Sequence, residues 1–265
     1  MVYPFTVKPE EKLKELTGKK NIKLVESGDH AILYVLKFMK TLGKEKVLIQ
    51  DQGGWFTYRD YPKKAKLEKI ELKTDYGIID LEDLRKKANE KTVLLVNSLT
   101  GYFAEQPMKE IAELCAEKKC LLINDASGSI GTELVRMGDI ILGSFGKDKP
   151  VNLHYGGFIA CDEDYLFEGN FDSEKLEALN EEIDKLFARL MKWEEITARI
   201  KNDLKKFEII HKNKRGINVV VKFSSEEEKQ QIIKYCDENK LPYTICPRYI
   251  RVNERAISIE VKKII

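Results

Sequence analysis

Short unbroken apolar runs, set apart by stretches of helical spacing, recur through the first 160 or so residues of this chain. The runs are KVLIQ (46–50), LEKIEL (67–72), TVLLVN (92–97), CLLIN (120–124), DIILGSF (139–145) and GGFIACD (156–162). Between them, HAILYVLKFMKTLG places Ile32, Val35, Leu36 and Met39 on one helical face and stops at Gly43. PMKEIAELCAEKK opens with Pro107 and turns Ile111, Leu114 and Cys115 to one side. A strand that is apolar on both faces must be covered on both faces, so the alternation predicts an α/β domain with a mostly parallel sheet. From residue 173 the period changes. Leu176, Leu179, Ile183, Leu186, Leu190, Trp193, Ile196, Ile200, Leu204 and Phe207 recur every three to four residues, as in one long helix or two joined ones. The tail reads as a strand (217–223), a helix (225–239) and strands near 243–246, 248–252 and 256–261. The expected organisation is a large α/β domain over 1–165, connecting helix over 166–210 and a small α+β domain over 211–265.

Composition narrows the function classes. The 265 residues carry 46 basic and 44 acidic side chains, a formal net charge of +2. That balance argues against nucleic acid or a membrane surface as the main partner. Five cysteines, none in a C-x-x-C pair, and three histidines make a zinc cluster unexpected. No signal peptide or membrane-spanning run is visible, so a cytoplasmic protein with free thiols is expected.

In parallel α/β sheets ligands sit where strands end. The segments just past the strands are ESGDHA (26–31), DQGGWF (51–56), NSLTGY (97–102), DASGSIG (125–131) and SFGKDK (144–149). Each has an ordinary reading alone: a helix cap, a half-buried aromatic, a turn aspartate, a solvated lysine. Taken in order they suit pyridoxal phosphate. Ser27, Gly28 and Asp29 open a helix whose N–H groups can take a phosphate. Trp55 offers a flat partner for the ring and Asn97 a polar partner for its 3′-hydroxyl. Asp125 can keep the pyridine nitrogen protonated, and Lys147 or Lys149 can hold the aldehyde as a Schiff base.

With these residues the chain resembles the fold-type I pyridoxal-phosphate enzymes, and within them the DegT/StrS-like sugar aminotransferases, over roughly residues 22–162. LVESGDHAILYVL, GGWFT, LLINDASGSIG and SFGKDKPVNLHYGGFIA carry the likeness. The lysine of that pattern lies five residues after a serine and seven before a glycine pair. Lys149 stands at those distances from Ser144 and Gly156, whereas Lys147 fits the shorter cysteine-desulfurase spacing, in which Gly146 replaces the histidine. The resemblance implies Lys149 and Asp125 as catalytic residues and Ser27, Gly28 and Ser144 as phosphate ligands. It implies small-molecule amino donor and acceptor substrates, an amino acid or an amino sugar, and a homodimer. PRYIRVN is similar to an aminotransferase strand whose arginine grips a substrate carboxylate, which would be Arg251, with Arg248 behind it. Three departures stand out: Asp29 replaces a small hydroxyl residue beside the phosphate, Gly128 lacks the side chain usual three residues after the aspartate, and the chain is short. A lyase or desulfurase would keep the cofactor but needs a mobile cysteine; a non-catalytic binding or regulatory protein of the same fold is the other alternative.

Overall fold

The computed structural model describes residues 7–264; residues 1–6 and 265, at the outer ends of the two expected domains, lie outside the described residues. The chain runs α1 (Pro9–Thr17), β1 (Asn21–Val25), α2 (Gly28–Thr41), β2 (Lys46–Gln50), α3 (Thr57–Lys64) and β3 (Glu68–Leu72). The hairpin β4 (Thr74–Asp75) and β5 (Ile78–Ile79), α4 (Leu81–Lys87) and β6 (Thr92–Asn97) come next. A second small hairpin, β7 (Leu99–Thr100) and β8 (Ala104–Glu105), precedes α5 (Met108–Glu117), β9 (Leu121–Asp125), β10 (Ile140–Ser144) and β11 (Gly157–Cys161). Two helices in series, α6 (Leu176–Asp184) and α7 (Leu186–Asp203), lead to β12 (Val219–Lys222), α8 (Glu226–Glu238), β13 (Tyr243–Ile245) and β14 (Ala256–Ile259).

The strands form a seven-stranded sheet in the order β1-β11-β10-β9-β6-β2-β3. Its pairings from β10 through β3 are parallel, and β11 alone runs against its neighbours β1 and β10. The parallel crossovers bring the carboxyl ends of β1, β2, β6, β9 and β10 to one edge. This is the mixed α/β architecture expected from the apolar runs. One face of the sheet packs Ile32, Val35, Leu36 and Met39 of α2 against Val47, Ile49, Val93 and Leu95. The other packs Leu84 of α4 and Ile111, Leu114 and Cys115 of α5 against Leu48, Leu94 and Val96.

The C-terminal unit is a three-stranded antiparallel sheet, β12-β14-β13, with α8 packed on β14. The 173–207 periodicity is real: Leu179, Ile183, Leu186, Leu190, Trp193, Ile200 and Leu204 are all buried in one core with Val219, Val221, Ile257 and Ile259. Fully buried Trp193 donates its indole N–H to the Ile264 carbonyl at 2.8 Å, fastening the chain's end to α7. A short 3-10 turn at Ser173–Lys175 leads into α-helix at Leu176, and residues 164–172 have no regular secondary structure.

One strand is corrected. Residues 248–252 form a turn, in which Arg251 N–H bonds the Arg248 carbonyl and Arg248 N–H bonds that of Val252, both at 2.8 Å. Pro247 has no N–H to give a ladder, and the turn residues satisfy one another instead.

Candidate functional site

The N-terminus of α2 forms one wall of a cleft at the carboxyl edge of the sheet. Ser27 caps the helix, its Oγ accepting the His30 N–H at 3.1 Å. Helix geometry leaves the first-turn amides of Gly28 and Asp29 without intrahelical partners. Glycine is required at position 28 by crowding: a Cβ there would lie 2.6 Å from the Ser144 Cβ. The first turn of α2 thus sits directly on the end of β10.

Ser27, Gly28, Asp29, Trp55, Tyr102, Asp125, Ser127, Ser144 and Lys149 line this cleft, which has a volume of about 90 Å³. Seven of the nine residues singled out in the sequence therefore meet in one place. Lys149 is buried, at 8% exposure, while Lys147 is exposed. Lys149 Nζ bonds the Tyr102 hydroxyl and stands 5.0 Å from the Trp55 ring centroid and 4.5 Å from that of Tyr102.

Asp125, 3% exposed at the end of β9, has a fixed donor on each oxygen. Oδ1 accepts the Ser127 N–H at 2.9 Å and Oδ2 accepts the Tyr58 hydroxyl at 2.6 Å. Burial, and then the Asp125 carboxylate, push the Tyr58 phenol well above its ordinary range. It stays a proton donor at any working pH.

Asp29 has an answer to its charge. Its Oδ1 accepts the Trp55 indole N–H at 2.8 Å and the Thr57 hydroxyl at 3.2 Å. The carboxylate is drawn toward α3 and, in the same contact, fixes the Trp55 ring.

Two expected residues are not in the cleft. Asn97 is buried, but its Oδ1 accepts the Leu99 N–H two residues on, at 3.0 Å, and so closes a local turn. Arg251 is 4% exposed and committed elsewhere: Nε and an Nη bond the two oxygens of fully buried Glu260 at 2.8 and 2.6 Å, and the other Nη bonds the Ile250 carbonyl. Burial alone would raise the Glu260 carboxyl, but the bonds to Arg251 outweigh it and hold the group below its usual range. A guanidinium closed in such a fork has no free face for a substrate carboxylate. Arg248, the backup, is exposed.

Sequence reasoning missed Tyr58, Tyr102, Ser127 and Lys262. Tyr102 and Ser127 lie in the segments that follow strands, so position alone could have raised them, whereas Tyr58 sits one residue into α3. Gly128 supplies the reason for Tyr102: a Cβ at 128 would come within 2.8 Å of the Tyr102 ring. The missing side chain three residues after Asp125 is thus replaced in space by a ring from the β7–β8 turn. Lys262 gives no local signal. It is 6% exposed, reaches the Tyr102 ring at 4.4 Å, and is lowered to about 7 by burial first and then by the nearby Lys149 and Arg251 charges.

The donor set fits pyridoxal phosphate. A buried amine, a carboxylate held at both oxygens, two flat rings and the N-terminus of α2 line one space, and only glycine at 28 leaves the helix end close to β10.

Three comparisons bear on this arrangement. Residues 188–265 match the MJ1341 family C-terminal domain. A protein of Aquifex aeolicus named as a probable aspartate/prephenate aminotransferase is 25% identical over 166 residues, which is 54% of this chain and 41% of that protein. The chain thus spans less than half the length of this curated relative. Among solved structures, a serine palmitoyltransferase of S. paucimobilis with PLP bound superposes with a TM-score of 0.74 at 15% identity, over 95% of this chain and 70% of that one. A Streptococcus pneumoniae protein named as a putative sugar aminotransferase gives 0.73 at 12% identity, over 100% and 87%. The chain has the fold of the fold-type I pyridoxal-phosphate-dependent enzymes, with sugar aminotransferases among the structures that share it.

Proposed function

We propose that this protein binds pyridoxal phosphate in the cleft and transfers an amino group between small molecules, an amino acid or amino sugar serving as donor. The observation that carries the reading is the convergence of Lys149, Asp125 and the N-terminus of α2 on one cleft from three separate elements. When bound, the cofactor supplies an aldehyde that accepts amines and a ring that takes up an electron pair. Lys149 Nζ holds the aldehyde. With its Nζ free, Lys149 would move a proton on and off the carbon that bears the substrate nitrogen. Asp125, fixed by Tyr58 and Ser127, keeps a proton on the ring nitrogen. The amides of Gly28 and Asp29, with the Ser27 and Ser144 hydroxyls, bind the phosphate. Trp55, tied to Asp29, covers the ring and excludes water.

The DegT/StrS-like assignment, the homodimer and the cytoplasmic setting belong to the same reading. No helix among the described residues is long and apolar enough to cross a membrane. The desulfurase alternative fares worse, because all five cysteines are buried and none is placed as a mobile sulfur carrier. Arg251 does not select the substrate in this reading, since Glu260 occupies it.

The test is to purify the chain with pyridoxal phosphate, look for a visible absorbance band, reduce with borohydride and map the modified residue. A pyridoxyl group on Lys149, and a band that responds to amino donors, supports the proposal. A label on Lys147 overturns the lysine assignment, and no band overturns the cofactor. A label with no response to any amine leaves the non-catalytic alternative. Light scattering that reports a single chain overturns the homodimer.

A further inference from the structure

Tyr102 is held in an unusual way. Its backbone lies in the left-handed region, at φ +66, which is strained for a bulky residue. Two bonds keep it there: its N–H to the Leu99 carbonyl at 3.0 Å and its carbonyl to the Ile217 N–H of the C-terminal unit at 2.8 Å. Its ring has three cations around it. Lys149 and Lys262 stand 4.5 and 4.4 Å from the centroid, and the Arg251 guanidinium 5.3 Å. Two of the three come from the C-terminal unit, Arg251 between β13 and β14 and Lys262 just after β14.

Lys262 has a second contact on the same target. Its Nζ donates at 3.3 Å to the carbonyl of Asp148, the residue just before Lys149. Asp148 also lies in the left-handed region, at φ +59. The Lys262 backbone N–H is itself fixed by the Ile217 carbonyl at 3.0 Å, so Ile217 anchors both Tyr102 and Lys262. A buried lysine is costly unless its polar end is used. Here it is spent on the ring that bonds Lys149 and on the peptide that carries Lys149.

We propose that Lys262 is a positioning residue for Lys149, acting through the Tyr102 ring and the Asp148 carbonyl, so that the C-terminal unit aims the reactive amine. This deepens the cofactor reading above and rests on it for its purpose, though not for its geometry. The protonated Lys262 amine at the ring face holds Tyr102 by cation–π attraction, its Nζ contact to the Asp148 carbonyl is available in either protonation state, and Tyr102 in turn holds Lys149 Nζ by its hydroxyl. Lys262 does not itself line the cleft, and it takes no part in bond making.

The experiment follows Lys149 in the full chain by two readouts. One is the rate of borohydride-trapped pyridoxal phosphate at Lys149. The other, with no cofactor present, is reductive methylation by formaldehyde, scored for Lys149 against exposed Lys147 in the same sample. Lys262→Met is expected to slow trapping roughly ten-fold while methylation of Lys149 rises, because the amine is freed but no longer aimed. Lys262→Arg, which keeps a cation, is expected to lose less of both. Tyr102→Phe with Lys262→Met is expected to slow trapping by less than the product of the single effects, since one acts through the other. Thermal melts monitor folding, and a general loosening would raise methylation at every lysine rather than at Lys149 alone. Unchanged Lys149 methylation in Lys262→Met, or strictly multiplicative effects, overturns the proposal. If the wild-type chain traps no pyridoxal phosphate, the cofactor reading falls and the methylation ratio still decides the positioning.

Discussion

The carboxyl edge of the seven-stranded sheet lines the cleft, whereas the C-terminal unit meets it only through Tyr102 and the Asp148 peptide. At the sheet edge each side chain follows directly on a strand: Asp125 ends β9, Ser144 ends β10, and Ser27 follows β1. Crossovers bring them together at one edge, although the strand order β1-β11-β10-β9-β6-β2-β3 is not the order along the chain. The C-terminal unit contributes from behind, through Lys262 and Arg251 packed on Tyr102, with no strand-end position to mark them. In the proposed reading, residues placed by topology carry the chemistry and residues placed by packing hold those residues in place.

The largest test of that division is Lys149→Ala. It is expected to abolish pyridoxyl trapping and to cut amine turnover roughly a thousand-fold or more, with the melting temperature little changed. Arg251→Met tests the opposite side. Breaking a buried pair from one end leaves Glu260 an uncompensated charge, so a loss of about 3–5 kcal/mol by denaturant titration is expected. A selective rise in KM for carboxylate substrates, with stability intact, would instead return Arg251 to the cleft and erase the contrast. Gly28→Ala is expected to cost about 1–3 kcal/mol from overpacking against Ser144, with weaker phosphate affinity.

The smallest effect is a pH dependence. The Lys262 amine titrates at about 7 in the folded chain and near its ordinary value of 10.5 when unfolded. Between those values the unfolded chain binds more protons, so this group makes stability rise as pH rises. The cost of burying its charge is greatest below 7 and fades above it. From pH 7 to 9 the wild type is expected to gain about 2 kcal/mol relative to Lys262→Met, measured by denaturant titration at each pH. Parallel curves for the two proteins would show that Lys262 is not buried as described.

The strands and the 173–207 helices were legible because continuous apolar runs and a three-to-four residue period report burial directly. The strand expected at 248–252 was not there, because alternating character in PRYIRVN describes a turn around a buried arginine as well as it describes a strand. The meeting of Ser27, Gly28, Asp29, Trp55, Asp125, Ser144 and Lys149 in one cleft could be anticipated from strand ends. Asn97 could not be placed, since nothing local tells whether an asparagine faces a ligand or closes its own turn. Lys262 was invisible for a physical reason. In a chain with 46 basic residues, a lysine is singled out only by the space it is buried in, and that space is built from segments more than a hundred residues away.

Gly128 and Tyr102 share one volume, filled from position 102 instead of 128. A pair of this kind links the fates of two sites that are distant in sequence. Placing a large side chain at 128 alone would drive it into the ring, and shrinking Tyr102 alone would leave a hole beside Lys149, whereas both changes together conserve the filling. Among relatives of this chain, a bulky side chain at the first position is therefore expected to travel with a small one at the second, and a graft that moves only one of them into another scaffold will fail for want of its counterpart.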